Sequence, residues 1–341
     1  MNIQEALQLV QAGGELSADD TESVFGDIMQ GRATQAQIGA LLMGLSILGE
    51  TPEIVAGAAR AMCAAATHIH PHVTGLLDTC GTGGDGASTF NISTTVALVV
   101  AAAGVPVAKH GNRAISSKSG SADVLEALGV RLDIAPDAIA DCIDKIGIGF
   151  LFAPAHHPAM KYAAGPRREL GIRSIFNLLG PLTNPANAEY QVLGVYTKNR
   201  LALVAGALQQ LGIKRALVIH GRDGLDEITT TTLTDAIWVE QDSPLREFEI
   251  DPAAFGMPYA RATDLTGGDA EINAAIIRNV LNGEKGSARD IVLLNAAAAL
   301  WVAGKTDGIA TGLRIAAETI DNGKAAQTLA NLVAFTQSAK A

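Results

Sequence analysis

Apolar residues in the first 70 positions recur at the three- and four-residue spacing of helices that bury one face. The pattern predicts four helices, over residues 2–12, Ser17–Gly31, Thr34–Leu48 and from Pro52 onward. One face of the third helix carries Ile38, Leu41, Leu42, Leu45 and Leu48. Because the connections are short, we expect a small helical bundle.

From Gly75 onward, short apolar segments alternate with helical ones. The segments with strand character are Leu76–Thr79, Val105–Lys109, Ile148–Phe152, Gln191–Tyr196, Ala216–His220 and Ile237–Glu240. This alternation predicts an α/β domain with a mostly parallel central sheet over residues 73–341, after a helical domain of residues 1–72. The helical stretch Glu169–Leu179 is expected to leave the sheet and, as an excursion near 169–186, to pack back on the bundle.

Composition narrows the class of protein. Hydrophobic residues make up 48% of the chain and charged residues 18%, which excludes a disordered chain. The longest apolar run, Val96–Ala108, is interrupted by Gly104 and Pro106 and is shorter than the roughly 20 residues of a membrane span. The N-terminus lacks the basic and apolar regions of a signal peptide, so we expect a cytoplasmic protein without a membrane partner.

Charge and metal-ligand patterns exclude further classes. The net charge of −10 opposes non-specific binding to nucleic acid, so a phosphorylated ligand would need a local basic pocket. Cys63, Cys80 and Cys142 lack the spacing of a disulfide framework or a zinc knuckle. The alternating histidines 68, 70 and 72 have no cysteine or carboxylate spaced to complete a closed zinc shell, which argues against a zinc site.

A glycine-rich loop, Gly81–Gly86, follows the first predicted strand and precedes an apolar helix. Glycines let backbone N–H groups approach a phosphate, and the N-terminus of the next helix adds its dipole. The spacing matches neither the nucleotide triphosphate loop nor the dinucleotide fingerprint. We therefore interpret the loop as a phosphate cradle of another kind. The alternative is a turn that only caps a helix.

A basic loop, Lys109–Ser121, follows the second predicted strand and contains four cationic or imidazole side chains and four serines. Ligands of parallel sheets bind at the carboxyl ends of the strands, so both loops are expected to face one crevice. The alternative is a solvated loop. Against it, positive charge is concentrated beside glycines in a protein that is acidic as a whole.

Five segments together resemble the anthranilate phosphoribosyltransferase family. They are GTGGDG, NIST, KHGNRAISSKSGSADVLEALG, HPAMKYAAGPRRELGIRSIFNLLGPLTNP and GLDE, in the family's order over nearly the whole chain. The resemblance implies a helical domain joined by hinges to an α/β domain, as in nucleoside phosphorylases and related phosphoribosyltransferases, and a homodimer. It also implies transfer of the phosphoribosyl group of 5-phosphoribosyl 1-pyrophosphate to anthranilate, a step of tryptophan biosynthesis.

The resemblance assigns site residues position by position. The donor, phosphoribosyl pyrophosphate, would contact Gly81, Gly84, Asp85, Thr89, Asn91, Ile92, Ser93, Thr94, Lys109, His110, Gly111, Asn112, Arg113, Ala114, Ile115, Ser116, Ser117 and Ser121. Anthranilate would contact Gly81, Asn112 and Arg167, with His110 lining its site. The cofactor would be Mg²⁺, served by Ser93, Asp226 and Glu227.

The chemistry implied fits these residue types, because the donor already carries its leaving group and needs no covalent nucleophile. Without the resemblance, Arg167 would pass for a surface arginine, and Asp226 with Glu227 for a solvated loop tip. Two alternatives remain at this stage. One is a pyrimidine nucleoside phosphorylase of similar architecture, and the other is a non-catalytic relative that binds nucleic acid through the basic crevice.

Overall fold

A computed structural model describes residues 1–114 and 118–339. The N-terminal bundle contains α1 (Ile3–Gln11), α2 (Ala18–Met29), α3 (Gln35–Leu48) and α4 (Pro52–Ala64). Its caps are those expected from the sequence: the side-chain oxygens of Ser17 and Thr34 accept the N–H of Asp20 and Gln37. The predicted face of α3 is buried except at its end, where Leu48 is 48% exposed.

In the described ranges the α/β part holds one sheet of seven strands, in the order β3-β2-β1-β4-β5-β6-β7. The strands are β1 (Leu77–Gly81), β2 (Val107–Gly111), β3 (Ile148–Phe152), β4 (Tyr190–Gly194), β5 (Arg215–Gly221), β6 (Thr234–Glu240) and β7 (Arg246–Ile250). Strands β1 to β5 pair in parallel, whereas β6 pairs antiparallel with β5, and β7 pairs antiparallel with β6. The mostly parallel sheet is confirmed.

The edge strand β7 was not predicted. Its sequence, REFEI, carries three charges, and only Ile250 is buried. An edge strand beside solvent needs no apolar run, so its composition resembles that of a loop.

Eleven helices follow the bundle in the described ranges. They are α5 (Ile92–Ala102), α6 (Ser121–Ala127), α7 (Pro136–Ile146), α8 (Ala153–His156), α9 (Lys161–Leu170), α10 (Phe176–Leu179), α11 (Leu201–Gln210), α12 (Ala270–Leu281), α13 (Ser287–Val302), α14 (Ile309–Asp321) and α15 (Lys324–Ser338). Among them, α5, α7, α11 and α13 pack on the sheet. One core forms around α5 and α13, which are almost wholly buried. A second core joins the bundle to α11 and the other face of the sheet. No described helix is long and apolar enough to cross a membrane.

The segment that follows β3 packs against the bundle. Helix α9 contacts α2 and α3, and the Phe176 ring of α10 lies 5.7 Å from that of Phe25. The expectation of one helix over Glu169–Leu179 is wrong: α9 ends at Leu170, and Gly171, with φ of +63°, breaks the backbone before α10. The domain boundary near residue 72 and the limits 169–186 stay predictions.

Candidate functional site

The glycine-rich loop leaves β1 at the carboxyl edge of the sheet and leads into α5. Gly83, Gly84 and Gly86 have φ of +66°, +77° and +73°, a region that residues with a Cβ atom rarely adopt. These conformations turn the backbone sharply after Gly81. The N-terminus of α5 follows at Ile92, so backbone N–H donors from a loop and from a helix face the same space.

Two carboxylates from the loop after β5 close one side of this space. Asp226 Oδ2 accepts the Gly83 N–H at 2.7 Å, and Glu227 Oε1 accepts the Ser93 N–H at 3.0 Å. Burial raises the pKa of both carboxyl groups, and the charge of Asp85 raises the pKa of Asp226 further. Three acidic side chains therefore share a confined space, and a bound cation would relieve their repulsion.

Lys109 provides buried positive charge beside these carboxylates. Its side chain, at the end of β2, is only 2% exposed. The ammonium group donates to the Thr79 carbonyl at 2.5 Å and lies 3.5 Å from the Ser93 hydroxyl. It forms no salt bridge with any residue in the two described ranges. A buried cation without a contacting carboxylate suits an anionic ligand.

His110 is held neutral at the bottom of the site. Its backbone N–H donates to Asp78, and its Nδ1 lies 3.1 Å from the Gly180 carbonyl. Because a carbonyl only accepts, Nδ1 carries the proton, and Nε2 is a buried acceptor with no partner among the described residues. Burial lowers the pKa of His110 to about 3, and the ring of His157, 5.1 Å away, has a pKa that burial lowers to about 4.

Asp123 of α6 forms hydrogen bonds with two backbone groups of the basic loop. One oxygen of this carboxylate accepts the N–H groups of Ala114 and Gly120, at 2.9 and 2.8 Å. Arg113 is paired with Asp123 and Glu126, so its charge is largely neutralised on the exposed side of α6. Its predicted donor contact therefore gains no support from this structure. Predicted residues Ile115, Ser116 and Ser117 lie outside the described residues.

Arg167 is a half-buried cation on α9. Its guanidinium lies 5.1 Å from the centre of the Phe176 ring, and burial lowers its pKa. No carboxylate of the described chain lies within salt-bridge distance. The segment around α9 borders the cleft on both sides, because His157 before it contacts His110 and Arg173 after it donates to the Gly84 carbonyl at 2.8 Å.

The other residues predicted to contact phosphoribosyl pyrophosphate differ in which of their groups are available to it. Ile92 is buried in the core, so only its backbone is available, and the buried Thr94 hydroxyl has no hydrogen-bond partner in the part of the chain that the structure describes. Thr89 forms a backbone bridge to Thr266. Asp85 accepts the Ala87 N–H within the glycine-rich loop. Gly111 and Asn112 face Ser121, whose hydroxyl donates to the Asn112 carbonyl at 3.2 Å.

The protein alone offers an incomplete metal site. Among the described residues, no group of three or more His, Cys, Asp and Glu side chains is arranged to hold an ion. Asp226, Glu227 and the Ser93 hydroxyl are nevertheless the hard oxygen donors that Mg²⁺ takes when substrate phosphates and water complete its coordination. The crowding of the carboxylates is the observation that fits a cation here.

Three residues that organise the site were not predicted. Asp78 is a lone carboxylate in the buried strand β1, and it accepts from the His110 N–H and the Asn184 amide. A charged residue inside an apolar strand is unusual, so the sequence did contain a signal that could have identified Asp78. Asp123 stands two residues into α6, where caps are common. Arg173 had no such signal, because its contact with Gly84 spans 89 residues.

Comparison with known proteins agrees with this architecture. The model of the glycosyl transferase family helical bundle domain matches residues 4–66, and that of the glycosyl transferase family α/β domain matches residues 73–326. The chain is 54% identical to anthranilate phosphoribosyltransferase from Acetivibrio thermocellus, covering 98% of this chain and 97% of that protein. It is 51% identical to the enzyme of the same name from Methanocorpusculum labreanum, covering 97% of each.

Solved structures agree as well. The crystal structure of anthranilate phosphoribosyltransferase from Thermus thermophilus superimposes with a TM-score of 0.93 at 43% identity, covering 98% of this chain and 99% of that chain. The Saccharomyces cerevisiae enzyme in complex with PRPP and Mg matches with a TM-score of 0.87 at 25% identity, covering 98% of each chain. The two family domains, the relatives and the solved structures place this chain in the anthranilate phosphoribosyltransferase family, whose members are pentosyl-transferring enzymes.

Proposed function

We propose that the cleft between the glycine-rich loop, the basic loop and α9 is where this enzyme joins its two substrates. As a member of its family, the protein transfers the phosphoribosyl group of phosphoribosyl pyrophosphate to the amine of anthranilate and releases pyrophosphate. The observation that carries the placement is the buried Lys109, which has no salt-bridge partner in the described chain and stands beside Asp226, Glu227 and the N–H donors of α5.

The transfer needs stabilisation of charge rather than a nucleophile on the protein. As the bond from the anomeric carbon to pyrophosphate breaks, negative charge grows on the leaving phosphate. Lys109 and the N–H groups after Gly81 are placed to stabilise that charge, in a site where burial strengthens electrostatic interactions. The amine of anthranilate must be held at the carbon, which is a matter of orientation, and it loses one proton as the new bond forms.

Arg167 is proposed to hold the carboxylate of anthranilate. A half-buried guanidinium that has no counter-ion in the described chain suits a planar carboxylate, which it can bind through two parallel hydrogen bonds. Neutral His110 offers a buried Nε2 acceptor in the same cleft and adds no competing positive charge.

Magnesium is the proposed cofactor, as the PRPP and Mg complex of the yeast enzyme suggests. Ser93, Asp226 and Glu227 would hold it. When bound, it would neutralise pyrophosphate charge. Each carboxylate accepts the Gly83 or Ser93 N–H through one oxygen, so its second oxygen would be available to the metal while that hydrogen bond is kept.

Gly81→Ala should impair donor binding severely. A Cβ atom built at Gly81 would lie 2.7 Å from Cγ of Asp226, so the carboxylate would have to move. We expect kcat/KM for the donor to fall by about tenfold or more. Gly26→Ala is the matched control, because a Cβ atom there meets nothing within 4 Å. Steady-state kinetics with a thermal melt compare the two, and equal activity would contradict the assigned role of Asp226.

We also propose that the enzyme is a homodimer formed through α1 and α3. Met43, Ile47 and Leu48 are 38%, 75% and 48% exposed beside an apolar groove of about 470 Å³. Exposed neighbouring apolar side chains of this kind usually mark an interface. Ile47→Glu should therefore yield a monomer in light scattering, whereas Ile272→Glu, at a 53% exposed isoleucine of α12, should not. A monomeric wild-type protein would reject the proposal.

A direct test separates the proposed reaction from nucleoside phosphorolysis. The protein is incubated in one arm with phosphoribosyl pyrophosphate, Mg²⁺ and anthranilate, and in another arm with phosphate and thymidine or uridine. We expect pyrophosphate in the first arm and no free base in the second. Base release without transfer to anthranilate would favour the phosphorylase alternative. The predicted cytoplasmic location and the absence of nucleic-acid binding stay predictions.

A further inference from the structure

Asn273 is a buried amide in the first turn of α12, outside all of the segments that carry the family resemblance. Its side chain is 1% exposed, and its buried neighbours on the same helix, Ala274 and Ile277, are apolar. Burying an amide is costly unless its groups are hydrogen-bonded. Asn273 is therefore expected to form specific hydrogen bonds, and it does.

The direction of these bonds is fixed by backbone groups at both ends. The Gly268 N–H can only donate, and it donates to Asn273 Oδ1 at 2.7 Å. Asn273 Nδ2 then donates to Asn91 Oδ1 at 2.9 Å. Asn91 Nδ2 in turn donates to the Ser119 carbonyl, which can only accept, at 3.2 Å. Neither amide can be rotated by 180° without placing two donors or two acceptors against each other.

This chain of bonds joins the two loops of the donor cleft. Asn91 immediately precedes α5, at the end of the stretch that begins with the glycine-rich loop, and Ser119 lies near the end of the basic loop. The support continues along the backbone: the Phe90 N–H donates to the Leu265 carbonyl, and the Gly267 N–H donates to the Ser88 carbonyl. The segment from Leu265 to Asn273 thus supports the stretch that begins with the glycine-rich loop.

We propose that Asn273 is a positioning residue for the donor site, because it sets the orientation of the Asn91 amide and so holds the glycine-rich and basic loops at a fixed separation. The inference rests on the proposed donor site. Asn273 has no contact with the segment around Arg167 among its hydrogen bonds, so the effect of losing it should fall on the donor rather than on anthranilate.

Asn273→Asp is the sharpest test, because it keeps the shape of the side chain and the acceptor for the Gly268 N–H but removes the donor to Asn91. The Asn91 amide must then turn its Nδ2 toward the new carboxylate, which sets its Oδ1 against the Ser119 carbonyl. We expect KM for phosphoribosyl pyrophosphate to rise about tenfold, the loss that corresponds to one buried hydrogen bond, with less than a twofold change for anthranilate. Hydrogen exchange should become faster over residues 88–92 and 118–121.

Asn279→Asp is the matched control, since it makes the same chemical change at an exposed position of the same helix. Asn273→Ala is a second variant that introduces no charge, and its KM for the donor should rise as well. Equal losses for both substrates, or an unchanged KM for the donor in folded Asn273→Asp, would overturn the proposal. So would failure of both Asn273 variants to fold, because the residue would then serve the fold itself. An inactive wild-type enzyme would instead reject the proposed function.

Discussion

Replacing Asp226 with Asn and Glu227 with Gln together should lower turnover by about two to three orders of magnitude at ordinary Mg²⁺ concentrations, the range found when a principal electrostatic group is removed. Both carboxylates face the N–H donors of the cradle and are crowded by Asp85. Removing two negative charges leaves the phosphate site intact, so donor binding without metal should not weaken. The requirement for Mg²⁺ should rise, and high Mg²⁺ or Mn²⁺ should restore part of the activity.

A magnesium titration at several pH values distinguishes metal binding from proton transfer. If the two carboxylates hold the metal, the shape of the pH profile of kcat should persist in the double variant. If one of them accepts the proton of the amine, the loss should remain at saturating metal, and an ionisation should vanish from that profile. The control is Glu240→Gln with Asp242→Asn, an exposed acidic pair at the opposite end of the β5–β6 hairpin. An unchanged metal requirement would remove Asp226 and Glu227 from the site.

Arg167→Ala should raise KM for anthranilate by about 50-fold or more, the loss expected when one partner of a buried charge pair is removed. Donor affinity measured by calorimetry should change little, because the guanidinium lies against the Phe176 ring and no described residue of either phosphate loop forms an ion pair with it. Aniline, which lacks the carboxylate, supplies a second readout. The preference of the wild type for anthranilate over aniline should largely disappear in the variant.

The neighbouring Arg168 offers the matched control. It is exposed on the same helix, so Arg168→Ala should leave both the anthranilate KM and the preference over aniline close to their wild-type values. If Arg167→Ala weakens both substrates equally, Arg167 supports the fold or the phosphate site. If the preference for anthranilate survives, another cation binds the carboxylate.

The parts of the site that could be predicted are those in which the functional side chains lie next to glycines and strand ends in the sequence. The glycine-rich loop ending β1 and the basic loop ending β2 were predicted on neighbouring strands, and the parallel pairing of β1 with β2 puts them at one edge. The two segments that hold Asp226 and Arg167 needed the family resemblance, because an acidic pair in a loop and an arginine on a helix are common on any surface.

The parts that could not be predicted depend on long-range contacts. Asn273 meets Asn91 across 182 residues, and a single asparagine in an amphipathic helix has no distinguishing pattern. The break at Gly171 did have a signal, because a glycine in the left-handed region commonly ends a helix, but the prediction of one helix over Glu169–Leu179 did not use it. Strand β7 was missed because an exposed edge strand tolerates charge.

The most direct measurement is the fluorescence of anthranilate after addition of phosphoribosyl pyrophosphate and Mg²⁺ to the folded protein. We expect a progressive loss of fluorescence that requires the donor, the metal and the protein together, and that is strongly slowed by the combined Asp226→Asn and Glu227→Gln substitutions. Pyrophosphate should appear in an amount equal to the anthranilate consumed. Stable fluorescence in the presence of folded protein and both other components would contradict the assignment of this cleft to phosphoribosyl transfer.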